Sequence, residues 1–225
     1  MKKDIQPNLS REKIVNEAIS LVNERGMPAL SMRMLGARLS VEGMALYYHF
    51  PNKQALIEAM LDRVHAEISI PEADIAWQDF VRQRSASVIE VLRHHPWAAT
   101  LMESGVRPGE YTMQDRERLL GVFRRAGFSV SNAVHAITIV DVFTYGFVAQ
   151  LVNLSFSTKE DAAVVGQDVI AMFAPDKYPY MREMVSEHML KRGYDVMDEF
   201  VFGLELIITG LERFEGESNN KIETH

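Results

Sequence analysis

Residues 26–60 read GMPALSMRMLGARLSVEGMALYYHFPNKQALIEAM. Gly26 and Pro28 stop whatever helix precedes them: glycine accepts the backbone of a helix C-terminus, and proline cannot continue a helix. Ser31 offers an N-cap, and Met34, Leu35 and Leu39 give a short helix, Ser31–Leu39, its buried face. Ser40-Val41-Glu42-Gly43 reads as a turn, and a second short helix runs from about Met44 to Phe50. Pro51-Asn52 breaks it and caps a longer helix carrying Leu56, Ile57, Met60, Leu61 and Val64. Two short helices joined by about four residues, with a small residue in the turn, have the dimensions of a helix-turn-helix. Leu35, Leu39, Val41 and Leu46 would fix the angle between them. Ser31 at the first helix's start, together with Arg33, Gly43, Met44, Ala45, Tyr47, Tyr48 and His49, is then left for the outward face. Such a face fits the major groove of DNA, with tyrosine and histidine reaching phosphate oxygens. Lys53 at the next helix start adds an ammonium to backbone N–H groups, which suits another phosphate. The plainer alternative is three small helices packed on one another, with the Tyr47–Phe50 aromatics as core and surface.

Charge says which end could approach phosphate. The chain of 225 residues has a net charge of −7. Residues 1–66 hold nine Lys/Arg against seven Asp/Glu, +2; the remainder holds fifteen against twenty-four, −9. An acidic body beside a mildly basic head leaves only the head suited to a polyanion. Hydrophobic residues make up 47%, enough for a sizeable core. No cysteine is present, which excludes disulfides and thiolate metal sites and suits a reducing cytoplasm. No uncharged apolar run of about 18 residues exists, so no membrane span is expected, and Met1–Pro7 lacks the apolar stretch of a secretory signal.

Outside the quoted stretch the period is helical throughout. Ser10 caps a first helix with an apolar stripe of Ile14, Ala18, Leu21 and Val22. Further helices are predicted over about 75–93, 97–104, 111–127, 130–154, 159–173, 179–191 and 195–215. The fold class is all-α, with a three-helix head, residues 1–66, a larger helical body, 67–216, and a polar tail, 217–225.

The pattern from Val41 to Leu56, V-x-x-x-x-L-Y-x-H-F-x-N-K-x-A-L, resembles the tetracycline-repressor (TetR) family of bacterial regulators. The likeness is strong over 8–65. It continues through His95-Pro96-Trp97, Arg107-Pro108, Arg125–Ser129, Phe143–Gly146 and Phe202–Glu205, which look like a C-terminal domain of the tetracycline-repressor type. It implies a homodimeric repressor on palindromic double-stranded DNA, released by a small hydrophobic or amphipathic effector. It also implies contacts to DNA from Arg33, Gly43, Met44, Ala45, Tyr47, His49 and Lys53. Helices 130–154 and 195–215 would pair with their symmetry mates, placing Val140, Phe143, Phe202, Leu206 and Ile207 at the interface. Gly43, Met44 and Ala45 depart from the family's polar base readers and cannot make bidentate base contacts. The places of the His and Glu that hold drug-bound magnesium in tetracycline repressors fall near Met102 and at Gln150 here, and neither residue suits a hard cation. No cofactor or resident metal is expected.

A pocket needs apolar walls with a few polar groups. His94, Trp97, Met102, Phe123, Phe143, Phe147, Gln150 and Met172 are the candidates, with Tyr145, His95, Glu103, His135, Asp141 and Asn153 as further members. Ordinary core packing is the competing account of the apolar ones. An enzyme reading finds no nucleophile elbow, phosphate loop or metal-spaced histidines. A head that binds protein rather than DNA remains a third reading.

Overall fold

The computed structural model describes residues 9–72, 74–102, 107–153, 170–173, 177–191 and 194–216. Among them the regular elements are all helical. They are α1 (Arg11–Arg25), α2 (Met32–Arg38), α3 (Gly43–Leu46), α4 (Lys53–His65) and α5 (Trp77–His94), then α6 (Pro96–Met102), α7 (Glu110–Arg125), α8 (Val130–Asn153), α9 (Pro179–Met184) and α10 (Val196–Glu212). Of the predicted helix 159–173 only the last four residues are described; Glu103, the Asn153 side chain and the 217–225 tail lie outside the described residues. The chain forms two compact units: the described residues of Met1–Ala149 with Arg213–His225, and those of Gln150–Glu212.

In the first unit three side chains cap three helices. Ser10, Ser31 and Asn52 accept from the amides of Lys13, Met34 and Ala55 at 3.1, 3.1 and 2.8 Å. Each satisfies one of the donors that a helix start leaves orphaned. Gly26 closes α1 at φ +76°, where a side chain would be strained. Ile14, Ala18, Leu21, Leu30, Leu35, Leu46, Phe50, Leu56 and Met60 are then sealed between α1, α2, α3 and α4.

Two expectations are corrected here. Met34 is exposed and Met32 is buried. With the helix starting at Met32, the stripe facing the core is 32, 35, 36 and 39, and position 34 turns outward. The second short helix is also shorter than Met44–Phe50. Glu42 is its N-cap, so it begins at Gly43 and ends after one turn at Leu46. His49 N and Phe50 N then both donate to Leu46 O, at 3.0 and 2.9 Å, in a closing turn. Pro51 disfavours helical backbone at Phe50, the residue before it, so the chain does not resume a helix before α4.

Further along, α5 buries Trp77, Phe80, Val81, Arg84, Ser85, Val88 and Leu92 on one stripe. Trp77, Phe123 and Phe128 stack as a ring cluster with centroids 5.1–5.5 Å apart. Phe123 is therefore a core residue, and it does not line the cavity at the end of α4. Val140 is likewise sealed within its own protomer, at 1% exposure, so it has no surface to offer a symmetry mate. α8 is long and apolar enough, by length and composition, to cross a membrane. Its middle, however, holds Asp141, ion-paired in the interior to Arg84, as in a core helix of a globular protein.

In the second unit, α9 runs into a π-helical turn, Val185–Met189. Arg182 Nη1 donates to the carbonyls of Ile170 and Phe173 at 2.9 and 3.0 Å. α10 buries Phe200, Leu204, Ile208 and Leu211, a stripe at i, i+4, i+8 and i+11.

Candidate functional site

The helix-turn-helix face is built on two glycines. A Cβ on Gly36 would lie 2.9 Å from both Gly43 N and Val41 O, and one on Gly43 would lie 3.2 Å from Met32 O and 3.4 Å from Arg33 Cα. Backbone thus packs directly on backbone, which sets the start of α3 against the first turn of α2 and brings Gly43 beside Arg33. Arg33, Met44, Ala45, Tyr47, Tyr48 and Lys53 are exposed, with Met44 at 74% and Tyr48 at 91%; Gly43 and His49 are half-buried. The Ser31 hydroxyl accepts from Met34 N and so defines the α2 start next to Arg33.

Sequence reasoning missed the group that holds this face in place. Arg11 Nη1 donates to the His49 carbonyl at 2.7 Å, and its guanidinium lies 4.1 Å from the Phe50 ring centroid. Arg38 holds α2 on α1 through Glu17, Glu24 and Ser20. Hydrogen bonds from Arg38 and then Ser20 draw the Glu24 carboxyl down to about 2.

A cavity of about 360 Å³ lies at the far end of α4. Its walls are Glu58, Leu61, Asp62 and His65 from α4, Met102 from α6, Arg107–Gly109, Thr112, Met113 and Arg116 at the start of α7, and Tyr145 from α8. A more open groove against α1 shares Glu58, Asp62 and Arg107–Gly109 with it. Behind the wall sits a buried ion network. Arg84 donates to Asp115 from Nε and Nη2, the shorter at 2.6 Å, and to Asp141 Oδ1 from Nη1 at 2.8 Å. His65 Nε2 lies 2.9 Å from Asp115 Oδ2, and Arg116 Nη1 3.0 Å from Asp141 Oδ2. Burial opposes the charge on Asp115, but the His65 and Arg84 hydrogen bonds outweigh it and hold the carboxyl well below its ordinary range. Burial likewise opposes the Arg84 charge, and Asp141 and Asp115 outweigh it. Burial, with the Asp141 charge adding, pushes the Tyr145 hydroxyl up.

Of the pocket residues expected from sequence, the structure puts Met102 on this cavity, with Tyr145 beside it and Asp141 behind. Trp97 Nε1 instead donates to Asn23 Oδ1 at 2.7 Å, and His94 is exposed with Nδ1 on its own helix's Glu90 carbonyl. His95 is buried between Asn23 and Glu67, and His135 contacts Ser131. Phe143 and Phe147 lie together, centroids 6.3 Å apart. Gln150 and Met172 are exposed and belong to the second unit. No group of three His, Asp or Glu among the described residues could hold a metal.

Residues 14–60 match the profile of bacterial regulatory proteins of the tetR family, and residues 70–214 that of the tetracyclin repressor-like C-terminal domain. The chain belongs to the TetR family. It is 32% identical over 216 residues to the class C tetracycline repressor protein of Escherichia coli, covering 94% of each chain. Among solved structures, apo ActR from Streptomyces coelicolor superposes with a TM-score of 0.78 at 23% identity, covering 94% of this chain and 99% of that one. A TetR variant from Acinetobacter baumannii AYE in complex with minocycline superposes with a TM-score of 0.67 at 26% identity, covering 96% and 100%. TetR-family regulators are soluble transcription factors, generally non-enzymatic; they bind operator DNA, act as dimers and bind small molecules. As a member, this chain is a ligand-responsive, DNA-binding transcription regulator.

Proposed function

We propose that this protein represses transcription as a cytoplasmic homodimer on a palindromic operator, and that a small amphipathic effector in the cavity at the end of α4 releases it. The reading divides the chain into a DNA-binding head, 1–66, and an effector-binding and dimerising body, 67–216. The observation that carries it is the Gly36–Gly43 crossing, which presents Arg33 and the start of α3 on one exposed face. Arg33 reads guanine, Met44 and Ala45 pack on thymine methyls, and Ser31, Tyr47, Tyr48, His49 and Lys53 contact the backbone. DNA shape supplies the remaining specificity.

Release follows from geometry. Two reading helices must sit about 34 Å apart to enter successive major grooves. α4 runs from the helix-turn-helix at Lys53 to the cavity at His65. An effector that prefers another placement of α4 therefore lowers DNA affinity, and DNA lowers effector affinity equally. The relative's complex with minocycline supports a polycyclic compound of that size as a first probe. Selection from random duplex DNA at two salt concentrations tests the reading. A palindrome with half-sites about one helical turn apart, bound more weakly at high salt, is expected. Retention of no duplex at low salt would favour a head that binds protein.

A further inference from the structure

We propose that Asp62 and Gly109 are the positioning pair through which α7 fixes the DNA-reading head, a pair an effector in the cavity would disturb. The inference rests on the regulator reading above. α7 starts at Gly109, an N-cap with no side chain to accept from the orphaned amides. The acceptor comes from another helix. Asp62 Oδ1 of α4 takes the Thr112 amide at 3.1 Å and the Thr112 hydroxyl at 3.2 Å. The capping carboxylate fits only because residue 109 is glycine: a Cβ there would lie 2.2 Å from Asp62 Cγ and 2.4–2.5 Å from its oxygens.

One turn further along both helices the contact repeats. His65 Nε2 meets Asp115 Oδ2 at 2.9 Å. Positions 62 and 65 on α4 therefore face 112 and 115 on α7 as two rungs with the same i, i+3 spacing. The second rung is anchored in the buried Arg84 network; the first is half-exposed and lines the cavity. The start of α7 and the placement of α4 are thus one variable. A helix that caps itself could keep its first turn while α4 moved, and this one cannot.

The chain has no cysteine, so a Gln54→Cys label on the exposed first turn of α4 marks each head once. Distances between the two spin labels in the dimer, and affinity for the selected palindrome, are read for wild type, Gly109→Ala, Asp62→Ala and the double variant. Gly109→Ala should shift the head-to-head distance and weaken the palindrome by about ten-fold. In the Asp62→Ala background it should add nothing, because the clash has lost its partner. Asp62→Asn, which keeps the accepting oxygen, should stay within about three-fold of wild type. Equal losses from Gly109→Ala with and without Asp62, or weaker binding at an unchanged distance, would overturn the proposal. If Gly109→Ala does not fold, Thr112→Val carries the same cycle by removing one donor of the rung. A wild-type protein with no inter-label distance would overturn the dimeric reading and this inference with it. Additive losses in a protein that still dimerises and binds its palindrome would overturn this inference alone.

Discussion

Among the residues gathered at the start of α3, Arg33 alone carries a guanidinium; its neighbours Gly43, Met44 and Ala45 offer no side-chain donor or acceptor of comparable reach. Guanine presents two acceptors in the major groove that a guanidinium fork matches, whereas a thioether or a methyl can only pack on thymine. Base discrimination should therefore be concentrated at one side chain per half-site. Arg33→Ala should weaken the selected palindrome by about 1–3 kcal/mol, with a much smaller loss on random duplex. Lys53→Ala should weaken both alike and reduce the slope of log affinity against log salt by about one. Titrations of both duplexes at several salt concentrations decide the matter. Equal losses from Arg33→Ala on the two would make Arg33 a phosphate contact and leave specificity to DNA shape.

Between elements, the decisive contacts are those of Arg84, which α5 inserts between α7 and α8. Removing one partner from a buried ion group leaves charges uncompensated, so Arg84→Leu should lower the unfolding free energy by about 3–5 kcal/mol. The sign of its pH dependence follows from Asp115, whose carboxyl is held below its ordinary value of 3.8. A depressed carboxyl contributes stability that is complete above the unfolded value and is lost as the pH falls through the folded one. The gap between wild type and Arg84→Leu should accordingly be full near neutrality and narrow below about pH 4. Urea unfolding across that range measures it, and a gap independent of pH would remove Asp115 as the reason.

The same network shows what a sequence can and cannot disclose. The caps at Ser10, Ser31 and Asn52 were legible because a cap is a local event, settled within four residues. Arg84 lies within the buried stripe of α5, and its partners are 31 and 57 positions away. Helical period says which face is buried and nothing about which helix covers it. Bulk is ambiguous in the same way: Phe123 is large and apolar, which describes a pocket wall and a core ring equally, and the structure packs it against Trp77 and Phe128. The polar groups on the cavity, Asp62, Thr112 and Arg116, come from different helices, and no helical period in the sequence says that they meet. α3 came out at a single turn, Gly43–Leu46, where the apolar stripe alone reads on to Phe50.

For the molecule as a whole, the remaining question is what covers its exposed apolar surface. On α10, Val201, Phe202 and Leu206 are 55–66% exposed, opposite the stripe that buries Phe200, Leu204, Ile208 and Leu211. Ile207 is half-buried at the edge of that face. On α8, Val134, Ile139 and Val142 are 47–55% exposed, on the side away from Val140 and with Phe143 half-buried at their margin. Apolar groups of this size at helical spacing are costly to leave in water, and a palindromic operator requires a two-fold partner. In an isologous interface each substitution appears twice and near its own copy. Phe202→Glu with Leu206→Glu therefore sets four new carboxylates around one axis, and like charges at close range in a desolvated interface repel by several kcal/mol. Sedimentation at micromolar concentration should give the mass of one chain, with the helical circular dichroism signal retained. Operator affinity should fall by about 10²–10⁴, since each head then binds its half-site without the effective concentration the partner supplied. A double variant that stays dimeric and keeps its operator would assign the interface to α8 alone and leave the α10 face without a role in DNA binding.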